Sequence, residues 1–435
     1  MSTRREFLER SALSVAAAAA MSHSSSPAEA AEGRTVTLGA IGVGGQGTNL
    51  LKTFAAMPDV KIAYICDPDE ARAAKAREAV ADRHSPQVVT DLRRVLDDKS
   101  VEAVVVATPD HWHGPAAILA LDAGKHVYVE KPCSHNIREG RLMVEAAERN
   151  KKVVQVGTQA RSTPFIRDAF AKLRSGVIGE IVVAKAWNSQ QRKNIGHLQP
   201  SAPPAGFDYD LWTGPAPLAP YQENRHHYNW HWWYDFGTGD AGNDGVHELD
   251  VVRWGLGVDV HPAHVVSLGG KYGFDDDQQF SDTLYTAFDY PGDGAVGHKK
   301  QLIFEMRIWS PYRQEGHENG CAFYGTDGLM VLGKGGGYAL YGKRNKLIEE
   351  VTGGVDSQGH RRNFIDCILN GGTPNADILT GHLSATLCHL ANIAARTGRA
   401  LQFDGAKEQI VGDEEANKLV GRTYRADHWA VPKGA

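Results

Sequence analysis

The most specific chemical signal in the sequence is a cluster of glycines between an apolar segment and a segment of helical pattern. Gly42, Gly44, Gly45, Gln46 and Gly47 lie in the run Gly-Val-Gly-Gly-Gln-Gly, which follows the G-x-G-x-x-G pattern. Glycines with this spacing allow a tight turn and let a pyrophosphate approach the free N–H groups at the start of the helix. The pattern predicts a site for the phosphates of a dinucleotide.

A carboxylate follows at the distance expected for a residue that binds the adenine ribose. Asp67 ends a second apolar segment, 60–66, and lies 25 residues after Gly42. Carboxylates in this place accept hydrogen bonds from the ribose hydroxyls. The next three residues, 68–70, are Pro-Asp-Glu and offer no cation to a 2′-phosphate, so we expect NAD rather than NADP. The alternative is that Asp67 only caps the helix that follows.

Two other segments carry polar side chains where apolar strands are predicted to end. One runs from Ala107 to His113, and the other is Glu130-Lys131-Pro132. Because the carboxyl ends of parallel strands meet at one edge of a sheet, both segments should lie beside Gly42 and Asp67. The candidate cofactor-binding residues of these segments are Thr108, Pro109, His113, Glu130, Lys131 and Pro132.

The segment from Asn224 to His247 is the richest in aromatic and imidazole side chains. Aromatic faces suit the C–H surfaces of sugar rings, and polar neighbours bind hydroxyls, although each ring could instead be a core or interface residue. The candidate substrate-binding residues are Trp187, Tyr228, Trp230, Trp232, Lys131 and His247. His226 and His231 lack a carboxylate or cysteine at ligand spacing, so we expect no metal.

The elements that would position these residues alternate between strand and helix from Arg34 to about residue 160. This alternation indicates a doubly wound parallel Rossmann sheet, and it includes a strand at 126–129 and a helix at 137–150. Beyond Arg161 the alternation fades. We therefore divide the mature chain into an NAD-binding domain, 34–160, and a substrate-binding C-terminal α/β domain, 161–435.

Taken in order, these motifs resemble those of the glucose–fructose oxidoreductase, inositol dehydrogenase and rhizopine-catabolism (Gfo/Idh/MocA) family, over residues 34–400. The residues that carry the resemblance are Gly42–Gly47, Ala107-Thr108-Pro109, His113, Glu130-Lys131-Pro132, Gly157-Thr158-Gln159, Asp244–Asp250 and Trp254. The resemblance implies that the second domain is built on an open, mostly antiparallel sheet that covers the nicotinamide. It also implies that His113 and Gln159 lie near the cofactor.

The resemblance further implies that a histidine and a lysine flank the reacting carbon, and the matching residues are His247 and Lys131. A histidine suits removal of a hydroxyl proton near neutral pH while the carbon loses hydride. Lys131 would orient or share that proton. One position departs from the family, because the aspartate that usually lies four residues before the histidine is here Asn243, with Asp244 next to it. Both are candidate catalytic residues, and the departure puts simple reversible dehydrogenation in doubt.

These residues favour an NAD-dependent oxidoreductase that oxidises a secondary hydroxyl of a sugar or polyol. A first alternative is a redox-neutral glycosidase or lyase that oxidises its substrate transiently with tightly bound NAD. A second alternative is a non-catalytic sugar-binding protein. The fold alone does not decide between them.

The composition of the 435 residues excludes some partners and cofactors. A formal net charge of −5 gives no reason to expect a nucleic acid. The five cysteines are scattered without a Cys-x-x-Cys pair, which argues against a zinc ribbon and a disulfide framework. The family resemblance makes a homodimer or homotetramer a reasonable expectation.

The first thirty residues are predicted to be an export signal rather than part of the fold. Thr3 to Leu8 resembles the twin-arginine pattern, an alanine-rich stretch follows, and Ala28-Glu29-Ala30 suits a signal peptidase. The stretch is too short for a permanent membrane helix. We therefore expect a periplasmic protein without stable membrane insertion, whose cofactor is loaded before export and held tightly.

Overall fold

The computed structural model describes residues 33–435, so the export signal predicted at residues 1–30 lies outside the described residues. The first sheet is parallel, with six strands in the order β3-β2-β1-β4-β5-β6. The strands are β1 Val36–Ile41, β2 Val60–Cys66, β3 Gln87–Val89, β4 Ala103–Val106, β5 His126–Val129 and β6 Val154–Val156. The order reverses between β1 and β4, where doubly wound sheets bind their ligands.

The strand register brings the carboxyl ends of four strands level with one another. Ile41 pairs with Cys66 on one side and with Val106 on the other, and Val106 pairs with Val129. The residues that follow the strands therefore stand next to one another along one edge. In order across that edge they are Asp67, Gly42, Ala107 and Glu130.

Helices cover both faces of this sheet, as expected for strands that are apolar on both sides. They are Gly45–Ala55, Glu70–Glu78, Arg93–Asp97, Asp110–Asp122 and Ile137–Asn150. The helix Ile137–Asn150 and the strand β5 have the predicted bounds. The helix at Asp110 begins next to Pro109, which has extended backbone and precedes an acidic first residue, an arrangement typical of a helix start. His111 and His113 therefore lie in its first turn.

The second sheet has ten strands in the order β14-β13-β12-β11-β7-β10-β9-β8-β15-β16. All neighbours are antiparallel except β7 and β10, which confirms the predicted open, mostly antiparallel sheet. The strands are β7 Ile181–Asn188, β8 His264–Gly270, β9 Thr283–Tyr290, β10 Lys300–Arg307, β11 Asn319–Gly325, β12 Leu329–Gly333, β13 Gly337–Gly342, β14 Lys346–Val351, β15 Leu401–Asp404 and β16 Gln409–Ile410.

One face of the second sheet packs against helices to form the largest apolar core. The remaining α-helices within residues 33–435 are Pro164–Arg174, Tyr209–Thr213, Val246–Leu256, Ser357–Asn370, Ile378–Thr397 and Glu414–Asn417. Side chains alternate along β7, so that Ala184 and Ala186 lie in this core with Val252 and Leu390, whereas Trp187 belongs to a small cluster on the opposite face.

The helix Ser357–Asn370 packs on the first sheet rather than on the second. Its Phe364 lies in one apolar cluster with Phe54 and Tyr128, and Arg362 forms an ion pair with Asp59 at 2.7 Å. The half of the molecule built on the first sheet therefore includes a helix from late in the chain.

Two features concern the wider chemistry of the chain. All five cysteines are buried and none is disulfide-bonded in the structure. No helix within residues 33–435 is both long enough and apolar enough to cross a membrane.

Candidate active site

A cavity of about 320 Å³ lies at the edge where β1, β2, β4 and β5 end. We call it the large cavity, to distinguish it from the smaller cavity beside His247. The cofactor-binding residues predicted from the sequence that line it are Gly42, Gly44, Gly45, Gln46, Gly47, Asp67, Thr108, Pro109, His113, Glu130 and Lys131. Pro132 stands next to Lys131, and the peptide bond between them is cis. Gln159 lies elsewhere, on the wall of a smaller cavity described below.

The glycines of the first turn serve different purposes. Gly42 has a φ of +80°, and a Cβ there would lie 2.7 Å from backbone atoms of Ala107 and Thr108. A Cβ on Gly47 would lie 2.0 Å from the carbonyl oxygen of Gly42. Gly45, by contrast, has open space around the position of a Cβ and begins the helix, so its N–H group is free to meet a phosphate.

Asp67 holds the glycine turn against the end of β2. Its carboxylate accepts hydrogen bonds from the backbone N–H groups of Val43 at 2.8 Å and Asp69 at 3.0 Å. The helix cap is Asp69, whose side chain accepts from the N–H groups of Ala71 and Arg72, so capping is not the role of Asp67. Burial raises the pKa of Asp67. A carboxylate has lone pairs left for ribose hydroxyls, and Asp67 lines the cavity.

Arg72 is a cavity residue that the sequence reasoning missed. It lines the cavity beside Asp67, with its Nε atom 3.7 Å from a carboxylate oxygen of Asp69. The sequence argument considered only residues 68–70, whereas the first turn of the next helix brings a cation to the same place. From residues 68–70 alone we inferred that the site offers no cation to a 2′-phosphate. That inference is wrong, because Arg72 lines the cavity.

His113 joins the two polar segments of the sheet edge. Its Nδ1 lies 2.7 Å from the carbonyl oxygen of Pro132, and its Nε2 lies 2.9 Å from that of Thr108. Burial lowers its pKa to about 4, so the ring is neutral near pH 7 and donates to one carbonyl at a time. Glu130 adds a second link, since it accepts a hydrogen bond from the Gln46 amide at 3.0 Å. These contacts fix the backbone that presents Lys131.

The ammonium group of Lys131 reaches across to the second half of the chain. Its Nζ donates to the backbone carbonyl of Asn243 at 2.5 Å and lies 3.5 Å from the side-chain oxygen of the same residue. The Asn243 amide in turn donates to Asp240 at 2.9 Å, and Asp240 is paired with Arg192 at 2.9 Å. Lys131 and Asn243 both line the large cavity. Lys131 and Asn243, two of the four predicted catalytic residues, are therefore in direct contact.

The carboxylate of Asp244 takes no part in the contact between Lys131 and Asn243 and bonds to other residues. It lies in a π-helical turn, Ala241–Gly245, that precedes the helix Val246–Leu256. Its carboxylate accepts hydrogen bonds from Lys334 at 2.6 Å and from the Asn319 amide at 2.8 Å. The ammonium of Lys334 holds the pKa of Asp244 well below its usual range despite burial. The sequence reasoning also missed Lys334, which lies in the glycine-rich turn between β12 and β13.

His247 lines a second cavity of about 20 Å³, together with Gln159, Glu248 and Lys334. Burial lowers the pKa of the imidazole, and the positive charges of Lys334 and Lys131 lower it further, so the ring is neutral near pH 7. Lys131 and His247 thus line different cavities, so the structure does not bring them together around one reacting carbon as the sequence predicted. They are linked through the helical segment on which Asn243 accepts the lysine hydrogen bond four residues before His247.

Aromatic side chains from outside the Rossmann fold form a roof over the large cavity. Tyr228 and Trp230, both predicted from the sequence to bind substrate, belong to it. His227 and His231, from the segment that the sequence singled out, also line the cavity there, together with residues that the sequence reasoning did not identify, namely Phe207, Leu211, Trp212 and Trp429. The roof encloses the nucleotide-binding edge with residues that lie far apart in the chain.

Two of the predicted aromatic residues lie away from both cavities. Trp187 is buried on the outer face of the second sheet, where its indole donates to the carbonyl of His317 at 3.1 Å. Trp232 is buried in an apolar cluster with Trp212 and Phe236. The assignment of Trp187 and Trp232 to substrate binding does not match these positions, because strand alternation and core packing turn both rings away.

Asp110 is a further titratable group on the cavity wall. Its carboxylate accepts a hydrogen bond from the Thr238 hydroxyl at 2.6 Å, and burial raises its pKa to about 7. It follows Pro109 directly, so its position at the sheet edge was within reach of the sequence argument. Lys131 opposes the shift with its positive charge.

In each of two clusters of histidine and carboxylate side chains, the possible ligand atoms lie close enough together to bind one metal ion. Asp69 completes a set with His226 and His227, which the sequence spacing had not suggested. The other set is His261, His382 and Glu408. In the second set one oxygen of Glu408 also accepts hydrogen bonds from Arg141 at 2.5 and 3.1 Å, so a guanidinium already neutralises the carboxylate.

Comparisons with known proteins match both halves of the chain to one oxidoreductase family. Residues 36–158 match the family model of NAD-binding Rossmann-fold oxidoreductases named GFO_IDH_MocA, and residues 181–286 and 343–431 match the model of its C-terminal alpha/beta domain. The chain is 24% identical over 372 residues to scyllo-inositol 2-dehydrogenase (NAD(+)) of Bacillus subtilis (strain 168), covering 80% of this chain and 90% of the relative.

Two other comparisons are of interest. The chain is 29% identical over 157 residues to the glycosyl hydrolase family 109 protein 1 of Shewanella sp. (strain MR-4), which covers 35% of this chain and 34% of that protein. Among solved structures, levoglucosan dehydrogenase in complex with NADH and levoglucosan aligns with a TM-score of 0.65 and 19% identity, covering 85% of this chain and 99% of that one. At this identity the structural likeness shows the fold alone.

Proposed function

Because the chain belongs to the Gfo/Idh/MocA family of NAD-binding oxidoreductases, we propose that it oxidises a secondary hydroxyl of a sugar or polyol with NAD. The observation that carries the proposal is the contact between Lys131 and Asn243 on the wall of the large cavity. It brings the strand-end motif of the first sheet to the helical segment that presents His247. A relative that matches 80% of the chain is named scyllo-inositol 2-dehydrogenase (NAD(+)), which supports a polyhydroxylated substrate.

The hydrogen-bonding groups that line the cavity suit a dinucleotide. The open space at Gly45 and the start of its helix would hold the pyrophosphate, and Asp67 would hold the adenine ribose. When bound, NAD supplies the acceptor for the hydride that the carbinol carbon loses. We prefer NAD over NADP because Asp67 is a buried carboxylate, although Arg72 brings one opposing charge.

Residues of the chain remove the hydroxyl proton, bind the substrate oxygen and contact the sugar ring. The substrate hydroxyl loses its proton and becomes a carbonyl as the C–H bond breaks. His247 is neutral near pH 7 and is the proposed acceptor of that proton, but its imidazole lines the small cavity and must move to meet a substrate in the large one. Lys131 donates a hydrogen bond to the substrate oxygen, since an ammonium has two donors left after its contact with Asn243. Tyr228 and Trp230 cover the sugar ring with aromatic faces.

Export and assembly complete the proposal. The pattern Thr3 to Leu8 supports twin-arginine export to the periplasm, and the roofed cavity supports a tightly held cofactor. Val266, Leu268 and Tyr285 are exposed on the outer face of the second sheet, which supports a homo-oligomer. Replacing Arg4 and Arg5 by lysine should leave the protein in the cytoplasm, as measured by cell fractionation.

A second candidate is glycoside cleavage without net redox, with transient oxidation by the same resident cofactor. Two observations favour it. One is the match to a glycosyl hydrolase family 109 protein, and the other is Asn243 in the place of an aspartate. This candidate predicts release of an aglycone without added NAD.

The test begins with the full-length protein purified from cells. Denaturation should release NAD, identified by its mass. Inositols, free sugars and aryl glycosides are then added to the loaded protein, and reduction of the nicotinamide and aglycone release are measured separately. Nicotinamide reduction without aglycone release supports the first candidate, and aglycone release without net reduction supports the second. Cofactor without either reaction would contradict both and leave a sugar-binding protein.

A further inference from the structure

The end of the chain returns from the second sheet to the nucleotide-binding half. Arg422 and Tyr424 both donate to the buried carboxylate of Glu139, at 2.8 and 2.7 Å. Close to the last residue, the carbonyl oxygen of Gly434 accepts a hydrogen bond from Arg138 at 2.8 Å. Glu139 and Arg138 belong to the helix Ile137–Asn150 of the first half. Residues 421–435, which we name the C-terminal tail, are thus anchored at both ends.

Between its anchors the tail brings Trp429 to the wall of the large cavity. The indole packs beside Trp112, with ring centroids 5.8 Å apart, and the guanidinium of Arg93 lies 4.4 Å from its ring. The next residue, Ala430, is buried in the apolar core of the first sheet. The ring is therefore held by Trp112 and Arg93, and the chain beside it by the burial of Ala430, while part of the indole lines the cavity.

The position of Trp429 along the cavity identifies the part of the ligand it would meet. The wall on this side comes from Thr90 and Leu92, which follow the edge strand β3, and from Asp67 at the end of β2. In a doubly wound sheet of this strand order, the β2 side holds the adenosine half of a dinucleotide. Lys131 stands at the end of β5, across the switch point.

We infer that Trp429 is an adenine-binding residue and that the C-terminal tail forms one wall of the adenosine subsite. The inference rests on the proposed function, because it assumes that the cavity holds a dinucleotide. An indole ring offers adenine a flat aromatic surface, and such base–aromatic contacts contribute measurably to binding. The tail then links retention of the cofactor to the last fifteen residues of the chain.

The experiment separates the two halves of the cofactor. ADP-ribose probes the adenosine subsite, and nicotinamide mononucleotide probes the other half. Each is titrated into cofactor-free protein by calorimetry, for the full-length wild type, Trp429→Ala, Trp429→Phe and a control, Trp309→Ala. Trp309 is an equally large aromatic residue that donates to Thr283 on the second sheet, away from the cavity.

Trp429→Ala should weaken ADP-ribose binding by roughly tenfold and leave nicotinamide mononucleotide binding unchanged. Trp429→Phe retains an aromatic face and should recover most of the loss, and the control should bind as the wild type does. Equal ADP-ribose affinity in the wild type and Trp429→Ala overturns the inference. A wild type that binds neither NAD nor ADP-ribose overturns the proposed function instead.

A measurement on the wild type alone covers the case in which Trp429→Ala does not fold. Hydrogen exchange of backbone amides reports local opening. ADP-ribose should slow exchange in residues 421–435, whereas nicotinamide mononucleotide should not. Exchange in the tail that is indifferent to ADP-ribose, although ADP-ribose binds, would contradict the inference.

Discussion

The two sides of the candidate active site are held together by different interactions. On the nucleotide side, Asp67 and His113 bond to backbone groups of neighbouring strand ends. On the other side, Asp240 and Asp244 are held mainly by side-chain cations, with Arg192 on Asp240 and Lys334 on Asp244. Backbone groups are present whatever the sequence, whereas a charged partner is lost with one substitution. One substitution can therefore remove a cationic partner on the side of Asp240 and Asp244, whereas the backbone partners on the nucleotide side remain whatever residue stands there.

The largest effect is expected at the residue that joins the two sides. Lys131→Ala removes the donor to Asn243 and to the substrate oxygen, and we expect the rate of nicotinamide reduction to fall by about 10²- to 10⁴-fold. Bound cofactor, measured by mass after denaturation, should remain. Lys75→Ala, on an exposed lysine of the helix Glu70–Glu78, is the control and should keep wild-type rates. Turnover that survives Lys131→Ala would show that the link between the two sides is not catalytic.

A smaller effect is expected from a change confined to the nucleotide side. Asp67→Ala removes a carboxylate that accepts two backbone hydrogen bonds and faces the cavity. Hydrogen bonds to charged groups contribute about 1.5–3 kcal/mol, so NAD affinity should fall by roughly 10- to 100-fold. Equilibrium titration of the apoprotein measures this, with Asp82→Ala on the surface as a control. Unchanged NAD affinity would place the ribose elsewhere.

On the charged side, the pH dependence of the rate should reveal the cation beside His247. Burial, and after it the charge of Lys334, lowers the pKa of His247, so the wild-type base stays neutral as the pH falls through the ordinary pKa of a histidine. Lys334→Ala removes that effect, the pKa of His247 rises, and the rate should begin to fall at a higher pH than in the wild type. Lys185→Ala is a matched control, since Lys185 pairs with Glu305 at 2.6 Å on the opposite face of the same sheet. An identical shift in both variants would exclude a local charge effect.

The smallest effects should separate the roof from the outer face of the sheet. Trp230→Ala removes an aromatic face from the cavity and should raise KM several-fold, since such contacts contribute about 0.5–1.5 kcal/mol. Trp187→Phe changes a ring on the opposite face of the second sheet and should leave KM unchanged. Steady-state kinetics with one substrate measures both. A larger change in KM from Trp187→Phe would mean that substrate binds on the outer face.

The same contrast explains what the sequence could predict. Gly42, Asp67 and Lys131 each follow a strand, and parallel strands bring such residues to one edge whatever lies between them. Trp187 and Lys334 lie on an antiparallel sheet and its turns, where one step of register changes the face on which a side chain lies. Trp429 comes from the end of the chain, and no local pattern indicates that it returns to the first sheet.

Some errors arose within reach of local reasoning. Arg72 lies in the first turn after β2, so extending the charge argument by two residues beyond Glu70 would have found it. Trp232 lies in the aromatic segment that the sequence singled out, but short helical turns place Trp230 at the cavity and Trp232 in the core. Spacing alone does not resolve such turns.

The central claim is that a carbinol carbon gives its hydrogen to a nicotinamide held beside Lys131, and isotope transfer tests it most directly. The purified wild type and Lys131→Ala, each with its resident cofactor, are incubated with an inositol or sugar that carries deuterium on its carbinol carbons. The account predicts one deuterium in the dinucleotide released from the wild type and none in that from Lys131→Ala. A dinucleotide that never acquires deuterium from any substrate turned over, or one labelled equally in both proteins, would contradict it.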